Sequence, residues 1–467
     1  MRRTARGLDL TARLAALPQE HLPLTQPVEI RWNDHQVPFV TAATDGDLAV
    51  GLGIVHVHLR WTQLELMRHA VYGRMAEVMG PLGVGIDRML RTLDLPRAVP
   101  QIRDALPAET RHWIASFVTG MNVAIERLPR LPPEFRLLGL RRQPWTLEDV
   151  LALTRLAAFD VTWVIWMALL PQLKSEATTA LWRRLMGTDE DVGVPILEAN
   201  ALSAHKHSFL FRFARAGSNS WCMAPRGGAT GAWIANDTHL SPMLPNFWMI
   251  AGMKSPSYHA TGLMVPGIPA FLIGRNPDIS WGGTNLHAAS SDLFDLSDVP
   301  AASFQHRVES IKIRGFPSRK IIIRESAYGP VISDLRRLRS ANRPFALRWM
   351  GHKASDEISG LLAMNRATNW SSFRSALRHI GVPGQNITYA DRTGHIGQTM
   401  AAHLPCRPAN AEGLILPPAA EQYWDSHVDS QDLPTRFDPP EGFVASANNR
   451  PVASDVLIGY FFSPDTR

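Results

Sequence analysis

Ser218 is the residue of this chain whose surroundings most suggest chemistry. It stands in Ala216-Gly217-Ser218-Asn219-Ser220-Trp221. A serine hydroxyl is a weak nucleophile until a base takes its proton. The usual base is a histidine held by an aspartate, yet the chain has no Gly-x-Ser-x-Gly elbow to present a serine to such a pair. A serine that is the first residue of a chain needs no separate base. Its own α-amine, with an ordinary pKa near ~8, takes the proton directly or through one water. Gly217 suits a chain that must cut itself to expose that amine. Lacking a side chain, it lets the preceding peptide reach the strained geometry in which Ser218 Oγ attacks the Gly217 carbonyl. An N-to-O acyl shift followed by hydrolysis would free the amine.

Three further strings follow in order: Asn236-Asp237-Thr238-His239, Ile279-Ser280-Trp281-Gly282-Gly283-Thr284-Asn285 and Ala447-Asn448-Asn449-Arg450-Pro451. With Gly217-Ser218 they resemble the penicillin acylase family of N-terminal nucleophile hydrolases, which includes penicillin amidases and acyl-homoserine lactone acylases. Upstream, Val37 to Ala42, Gly51 to His56 and Arg74 to Gly80 resemble the family's opening blocks. The resemblance covers roughly residues 28–467. One departure is Thr238, which stands where the family has proline.

The resemblance implies a role for each matching residue. Ser218 is the nucleophile, freed by cleavage between Gly217 and Ser218. His239 helps to orient it. The Asn285 backbone N–H and the Asn448 side chain stabilise the oxyanion, a task for fixed donors; Asn449 is adjacent, and the sequence barely separates the two. Arg467 falls where the family has an active-site arginine. Leu240 and Ile273 fall on acyl-pocket positions that are aromatic in phenylacetyl-specific relatives, with Gly283 also on the substrate side, so aliphatic walls favour an aliphatic acyl group. The implied partners are a small-molecule N-acyl amide and the chain's own two fragments, held as an α/β heterodimer. No cofactor is required. Several members bind a structural calcium; Asp292 and Asp455 match two ligand positions, and Trp163 replaces the first-lobe glutamate.

The implied fold is α+β: a four-layer αββα sandwich with a helix-rich N-terminal lobe. The chain divides accordingly into a helix-rich lobe over 1–187, a connector over 188–217 ending at the cleavage site, and a catalytic lobe over 218–467. Local patterns agree. Val28 to Trp32 alternates with period two, and a turn at Asn33-Asp34 leads to His35–Val40. From about 44 to 187 the texture is helical. Leu64, Met67, Val71, Met75 and Val78 form an apolar stripe, Thr146-Leu147-Glu148-Asp149 reads as a capping box opening a helix that runs through Leu156, and prolines around 131–144 mark a linker. After Ser218, Trp221–Ala224 and Ala232–Ala235 read as two strands joined by a turn.

Bulk composition narrows the classes. A chain of 467 residues with 45% hydrophobic and 19% charged residues is that of a globular protein with more than one lobe. The net charge of +6 has no Lys/Arg run behind it, which argues against a nucleic-acid partner. The most apolar run, Val161 to Leu170, reads as a buried helix and not a membrane span. Cys222 and Cys406 make no scaffold or zinc pattern and read as two core thiols. His56 and His58 form a His-x-His pair inside a block that the fold explains, so neither is assigned to a metal. Family resemblance points to the periplasm, yet no signal peptide follows the N-terminal arginines; read as written, the chain would be cytoplasmic. Two competing readings follow. One is a truncated, non-maturing family member that only binds an acyl ligand or a partner chain. The other is an ordinary Ser-His-Asp hydrolase, active uncut.

Overall fold

The computed structural model describes residues 14–159 and 217–460, apart from 229, 241–242, 337, 339–342, 410–412 and 453, together with Ala12, Thr162, Trp163 and Trp166. Arg467, most of the Val161–Leu170 segment and the connector up to Ala216 lie outside the described residues. The strands used below are β1 Val28–Trp32, β2 Pro38–Ala42, β3 Gly217–Met223, β4 Trp233–His239, β5 Met249–Lys254, β6 His259–Met264, β7 Ile273–Arg275, β8 Ile279–Asn285, β9 Ser291–Asp295, β10 Gln385–Asp391, β11 Ile396–Ala401, β12 Arg436–Phe437 and β13 Phe443–Ser446.

The first lobe is built on helix α1, Asp45–Val71, crossed by α2, Ala108–Arg127. Thr44 caps α1 by accepting the Asp47 N–H at 3.1 Å. The Leu64–Val71 part of the apolar stripe lies on α1. Met75 and Val78 fall beyond its end, because the chain leaves the helix at Tyr72 and turns at Gly73, whose φ is +57°. The capping box at Thr146 is present and opens α3, Leu147–Ala157. The proline-marked linker contains a short helix of its own, Pro133–Leu138, since a proline at the first helical position removes no needed donor.

Glycines let α1 and α2 meet almost backbone to backbone. A Cβ on Gly120 would lie 2.0 Å from the Val50 carbonyl oxygen, and one on Gly53 would lie 2.1 Å from that of Phe117. Gly120→Ala is therefore expected to force the helices apart at a cost of about 3 kcal/mol, the upper end of overpacking losses. A thermal melt unchanged from wild type would contradict so close a crossing.

β1 and β2 do not stay within the helical lobe. β2 pairs in parallel with β5, Phe39 facing Gly252, so the first strands of the chain edge a nine-stranded sheet of order β1-β2-β5-β6-β7-β8-β10-β11-β12. The helices and this sheet share a core. One apolar cluster runs from Leu52 and Phe117 in the helices to Met253, Trp281 and Tyr389 in the sheet. Arg155, fully buried at the end of α3, donates to Glu357 at 3.1 Å and reinforces the join. Helices α4, Glu357–Arg366, and α5, Trp370–Leu377, flank the sheet. On α5, Trp370 and Phe373 meet Tyr389 of β10 with ring centroids 5.2 and 5.1 Å apart.

A three-stranded sheet of order β13-β3-β4 packs on the opposite face of the large sheet. Cys222 and Val444 from the small sheet meet Ala390 and Ile396 from the large one. The class is α+β as expected, with a helical layer and two facing β layers among the described residues. The outer face of the small sheet exposes Trp221, Trp233 and Phe443. No helix among the described residues is long and apolar enough to cross a membrane. Cys222 is a core thiol, and burial pushes its pKa up to about 12. Cys406 is only half-buried, against Ser426 at 3.2 Å, so the expectation of two core thiols holds for one.

His56 and His58 sit two positions apart on α1, about 200° around the helix, and cannot converge on one ion. His56 is fully buried; its Nδ1 accepts the Gly267 N–H at 3.0 Å and its ring meets Phe117 edge-on. Burial, assisted by Arg60, pulls its pKa down to about 3. His352 donates from Nε2 to the Leu93 carbonyl at 2.7 Å, and burial pulls it down to about 4. Above pH ~6.5 both are neutral whether folded or unfolded. As pH falls through that value, the unfolded chain binds protons that the folded one refuses. Stability is therefore lost on acidification, by about 2–3 kcal/mol per histidine at pH ~4.5. Melts at pH 7 and 4.5 should show this, with a shallower slope in His56→Asn; an equal slope would contradict the assignment.

Candidate active site

β3 opens at Gly217, so Ser218 is the second residue of a strand with neighbours on both sides. Gly217 faces His239 and Ser218 faces Thr238 across the β3–β4 ladder, while Ser220 faces Ser446 on β13. The period-two alternation turns Ser218, Ser220 and Cys222 inward and Gly217, Asn219 and Trp221 outward. Ser218 is 9% exposed. Two hydroxyl pairs join the sheets close by: Ser220 to Thr388 at 2.5 Å and Thr284 to Ser446 at 2.7 Å. Glycine at position 282 is required here, since a Cβ would lie 3.0 Å from Ser220 Oγ and 2.9 Å from Asn236 Cβ.

β8 presents an edge to this region. β10 covers one side of it, but on the other side β7 pairs only with Ser280 and Trp281. Leu286 N–H donates to Gly384 C=O at 3.1 Å. Bonded and non-bonded pairs alternate along an antiparallel ladder, so Gly283 and Asn285 turn both N–H and C=O away from β10. Side-chain amides stand there in place of a strand. Asn236 Oδ1 accepts the Gly283 N–H at 3.2 Å, and its Nδ2 donates to the carbonyls of Gly283 and Asn219 at 3.0 and 2.8 Å. Asn448 Nδ2 donates to the Asn285 carbonyl at 2.8 Å, and its Oδ1 accepts the Ser218 N–H at 2.7 Å. One amide thus spans Ser218 and Asn285. The Asn285 N–H lies on the same side of β8 as the carbonyl that Asn448 holds.

Asn448 has φ +61°, a left-handed conformation that asparagine tolerates better than most residues. Asn449 bonds only locally in the hydrogen bonds seen here: Oδ1 accepts from Ala447 N–H at 3.0 Å and Nδ2 donates to the Arg450 carbonyl at 3.1 Å. Of the two adjacent asparagines, Asn448 is the one whose side chain bonds Ser218 and Asn285.

His239 lies on the other face of the small sheet from the Ser218 side chain. Its Nε2 is 3.1 Å from Asp237 Oδ2 and 3.4 Å from Asn219 Nδ2. What it does approach is Gly217: a Cβ there would lie 3.2 Å from His239 Nδ1 and 3.7 Å from Asn448 Oδ1. Directly opposite Ser218, Thr238 Oγ1 accepts from Trp248 Nε1 at 2.9 Å. Leu240 follows β4 and Ile273 opens β7, both half-buried. Asn236 stands in the Asn236–His239 string, yet the resemblance assigns it no role. Counting strand parity back from Ser218's partner would have placed its side chain inward.

Asp292 is where the resemblance puts a calcium ligand. It is 1% exposed, and both of its oxygens have partners. Oδ1 accepts from Arg407 Nη1 at 2.5 Å and lies 3.1 Å from Tyr460 OH; Oδ2 accepts from Trp424 Nε1 at 2.8 Å. Burial pushes this carboxyl up, and the Arg407 charge with the Trp424 and Tyr460 donors opposes the rise. Trp163 donates to Ser291 Oγ at 2.9 Å, and Asp455 is exposed. Calcium takes six to eight oxygens, whereas Asp292 is ringed by donors and a cation. The residues do not fit the ion. Among the described residues, no group of three or more His, Cys, Asp or Glu side chains could hold a metal.

Comparison with known proteins adds the relationship. The acyl-homoserine lactone acylase QuiP of Pseudomonas aeruginosa is 28% identical over 92% of this chain and 56% of its own length. Penicillin acylase 2 proenzyme of a Pseudomonas species is 27% identical over 92% of this chain and 60% of its own. The chain thus spans little more than half the length of these relatives. Among solved structures, a thermostable penicillin G acylase from Alcaligenes faecalis aligns with 52% of this chain and 46% of its own, at 23% identity and a TM-score of 0.43. A model of the family described as penicillin amidase matches residues 27–467, and the chain belongs to that family.

Proposed function

We propose that this protein hydrolyses N-acyl amides through Ser218, after cutting itself between Gly217 and Ser218. The observation that carries the reading is the Asn448 amide, which bonds the Ser218 N–H and the Asn285 carbonyl at once. In the uncut chain Ser218 Oγ attacks the Gly217 carbonyl carbon, and the Gly217–Ser218 bond passes from nitrogen to oxygen. Water then cleaves the ester, leaving a carboxylate on Gly217 and an amine on Ser218. Glycine before the serine leaves room there, since a Cβ at 217 would lie 3.2 Å from His239 Nδ1.

In the cut protein the amine takes the Oγ proton as Oγ adds to the substrate carbonyl. The oxyanion is met by the Asn285 N–H and by the second hydrogen of Asn448 Nδ2, whose first is held by the Asn285 carbonyl. The proton passes to the departing amine, and water hydrolyses the acyl ester on Ser218. Acyl-homoserine lactones and penicillin-like β-lactams, the substrates named in the relatives, carry the amide this requires. The aliphatic Leu240 and Ile273 favour an aliphatic acyl group.

The test is the denatured mass of the purified protein, followed by turnover of an N-octanoyl anilide. Two fragments, one starting at Ser218, together with released amine, support the proposal. A single mass of about 51.8 kDa without turnover overturns it in favour of a non-maturing binding protein. Turnover by the uncut chain would instead point to an ordinary serine hydrolase.

A further inference from the structure

Arg407 lies where three chain segments meet, and it is 1% exposed. Its carbonyl accepts the Leu457 N–H at 2.8 Å, and Ala409 N–H donates to the Asp455 carbonyl at 2.8 Å. On its other side the same 455–460 ribbon is bonded to the stretch that leaves β8. There Ala289 N–H donates to Ile458 C=O, and Tyr460 N–H to His287 C=O, both at 2.8 Å. The Arg407 guanidinium ties these strands together through side chains. It donates to Asp292 Oδ1 at 2.5 Å, to Tyr460 OH at 2.9 Å and to the Gly413 carbonyl at 3.0 Å.

Two of these segments run straight to the site. Asn285 precedes Asp292 by seven residues, and Asn448 precedes Tyr460 by twelve. They are tied at one end by the Asn448–Asn285 hydrogen bond and at the other by Arg407, Asp292 and Tyr460. The buried cluster and the Asn448–Asn285 bond therefore hold the same two segments at separate points.

We propose that Arg407 is a positioning residue: its guanidinium, in place of a divalent cation, cross-links Asp292 to the 455–460 ribbon and so sets Asn448 against Ser218 and Asn285. A carboxylate this buried needs a counter-charge. The planar fork of arginine serves Asp292, Tyr460 and Gly413 together, which a single ammonium does not. The catalytic meaning of the role rests on the function proposed above; its structural test does not.

The first measurement uses the unaltered protein. Its thermal midpoint is expected to be the same in EDTA and in millimolar calcium. A midpoint that falls in EDTA or rises with calcium would overturn the replacement of the cation. The second is hydrogen exchange in Arg407→Lys and in the charge-neutral pair Asp292→Asn with Arg407→Met, which keeps a foldable variant available should lysine fail. Peptides covering residues 217–223 and 443–460 are expected to exchange about tenfold faster than in wild type, with helix α2 unchanged. Unchanged exchange at 217–223 in a folded variant would overturn the positioning role. Both measurements can be read even if the wild type neither cuts itself nor turns over amide, an outcome that would defeat only the reading of Ser218.

Discussion

Ser218→Ala is expected to abolish self-cleavage and hydrolysis together. The substitution removes one oxygen and little else. The hydrogen bond that Asn448 accepts comes from the Ser218 backbone N–H, so it survives the change. The β3 ladders to β4 and β13 survive for the same reason. The variant should therefore fold and melt like wild type, yet show one mass of about 51.8 kDa. Amide hydrolysis should fall by about 10⁴-fold or more, as is usual when a nucleophile is lost. Fragments persisting in Ser218→Ala would mean that another protease makes the cut. Full hydrolysis with cleavage lost would place the nucleophile elsewhere.

Asn448 should give the second-largest loss, and the choice of substitution decides what is learned. Asn448→Ala loses both amide bonds and also places a Cβ residue with less local support at φ +61°, at a cost of roughly 1–2 kcal/mol. Asn448→Gly loses the same bonds without that strain. Both are expected to lower kcat by about 10²–10³, the usual effect of removing one oxyanion donor. Only the alanine variant should also lose the additional stability. Asn449→Ala, whose side chain bonds its own turn, should keep nearly full activity. If Asn448→Gly kept wild-type kcat, the Asn448 amide would have no part in the transition state, and the oxyanion assignment would fall with it.

Much of this was legible in the sequence because it is local. The alternation at Val28–Trp32, the capping box at Thr146 and the strand pair after Ser218 each depend on neighbours a few residues away. The proline-marked linker hid a short helix, because proline both ends helices and opens them. What was not legible depends on partners far along the chain. The pairing of β2 with β5 joins residues more than two hundred positions apart, so the helical lobe looked more separate than it is. The motif around His239 drew attention to the histidine, but the β3–β4 register turns that ring outward and sends Asn236 inward to the edge of β8. Asp292 matched a metal ligand by position; nothing near it in sequence announced that Arg407, 115 residues later, would occupy its carboxylate.

A polypeptide end usually frays, and a catalyst placed on one would spend most of its time out of position. β3 avoids this because the bond proposed for cleavage lies at its first residue. A new terminus at Ser218 would begin inside a ladder already paired with β4, with Asn448 on its nitrogen and β13 secured two residues further on. The cut would break one peptide bond and leave the new end moored. The entropy that a free amine would otherwise have to surrender at every turnover would have been settled once, when the uncut chain folded.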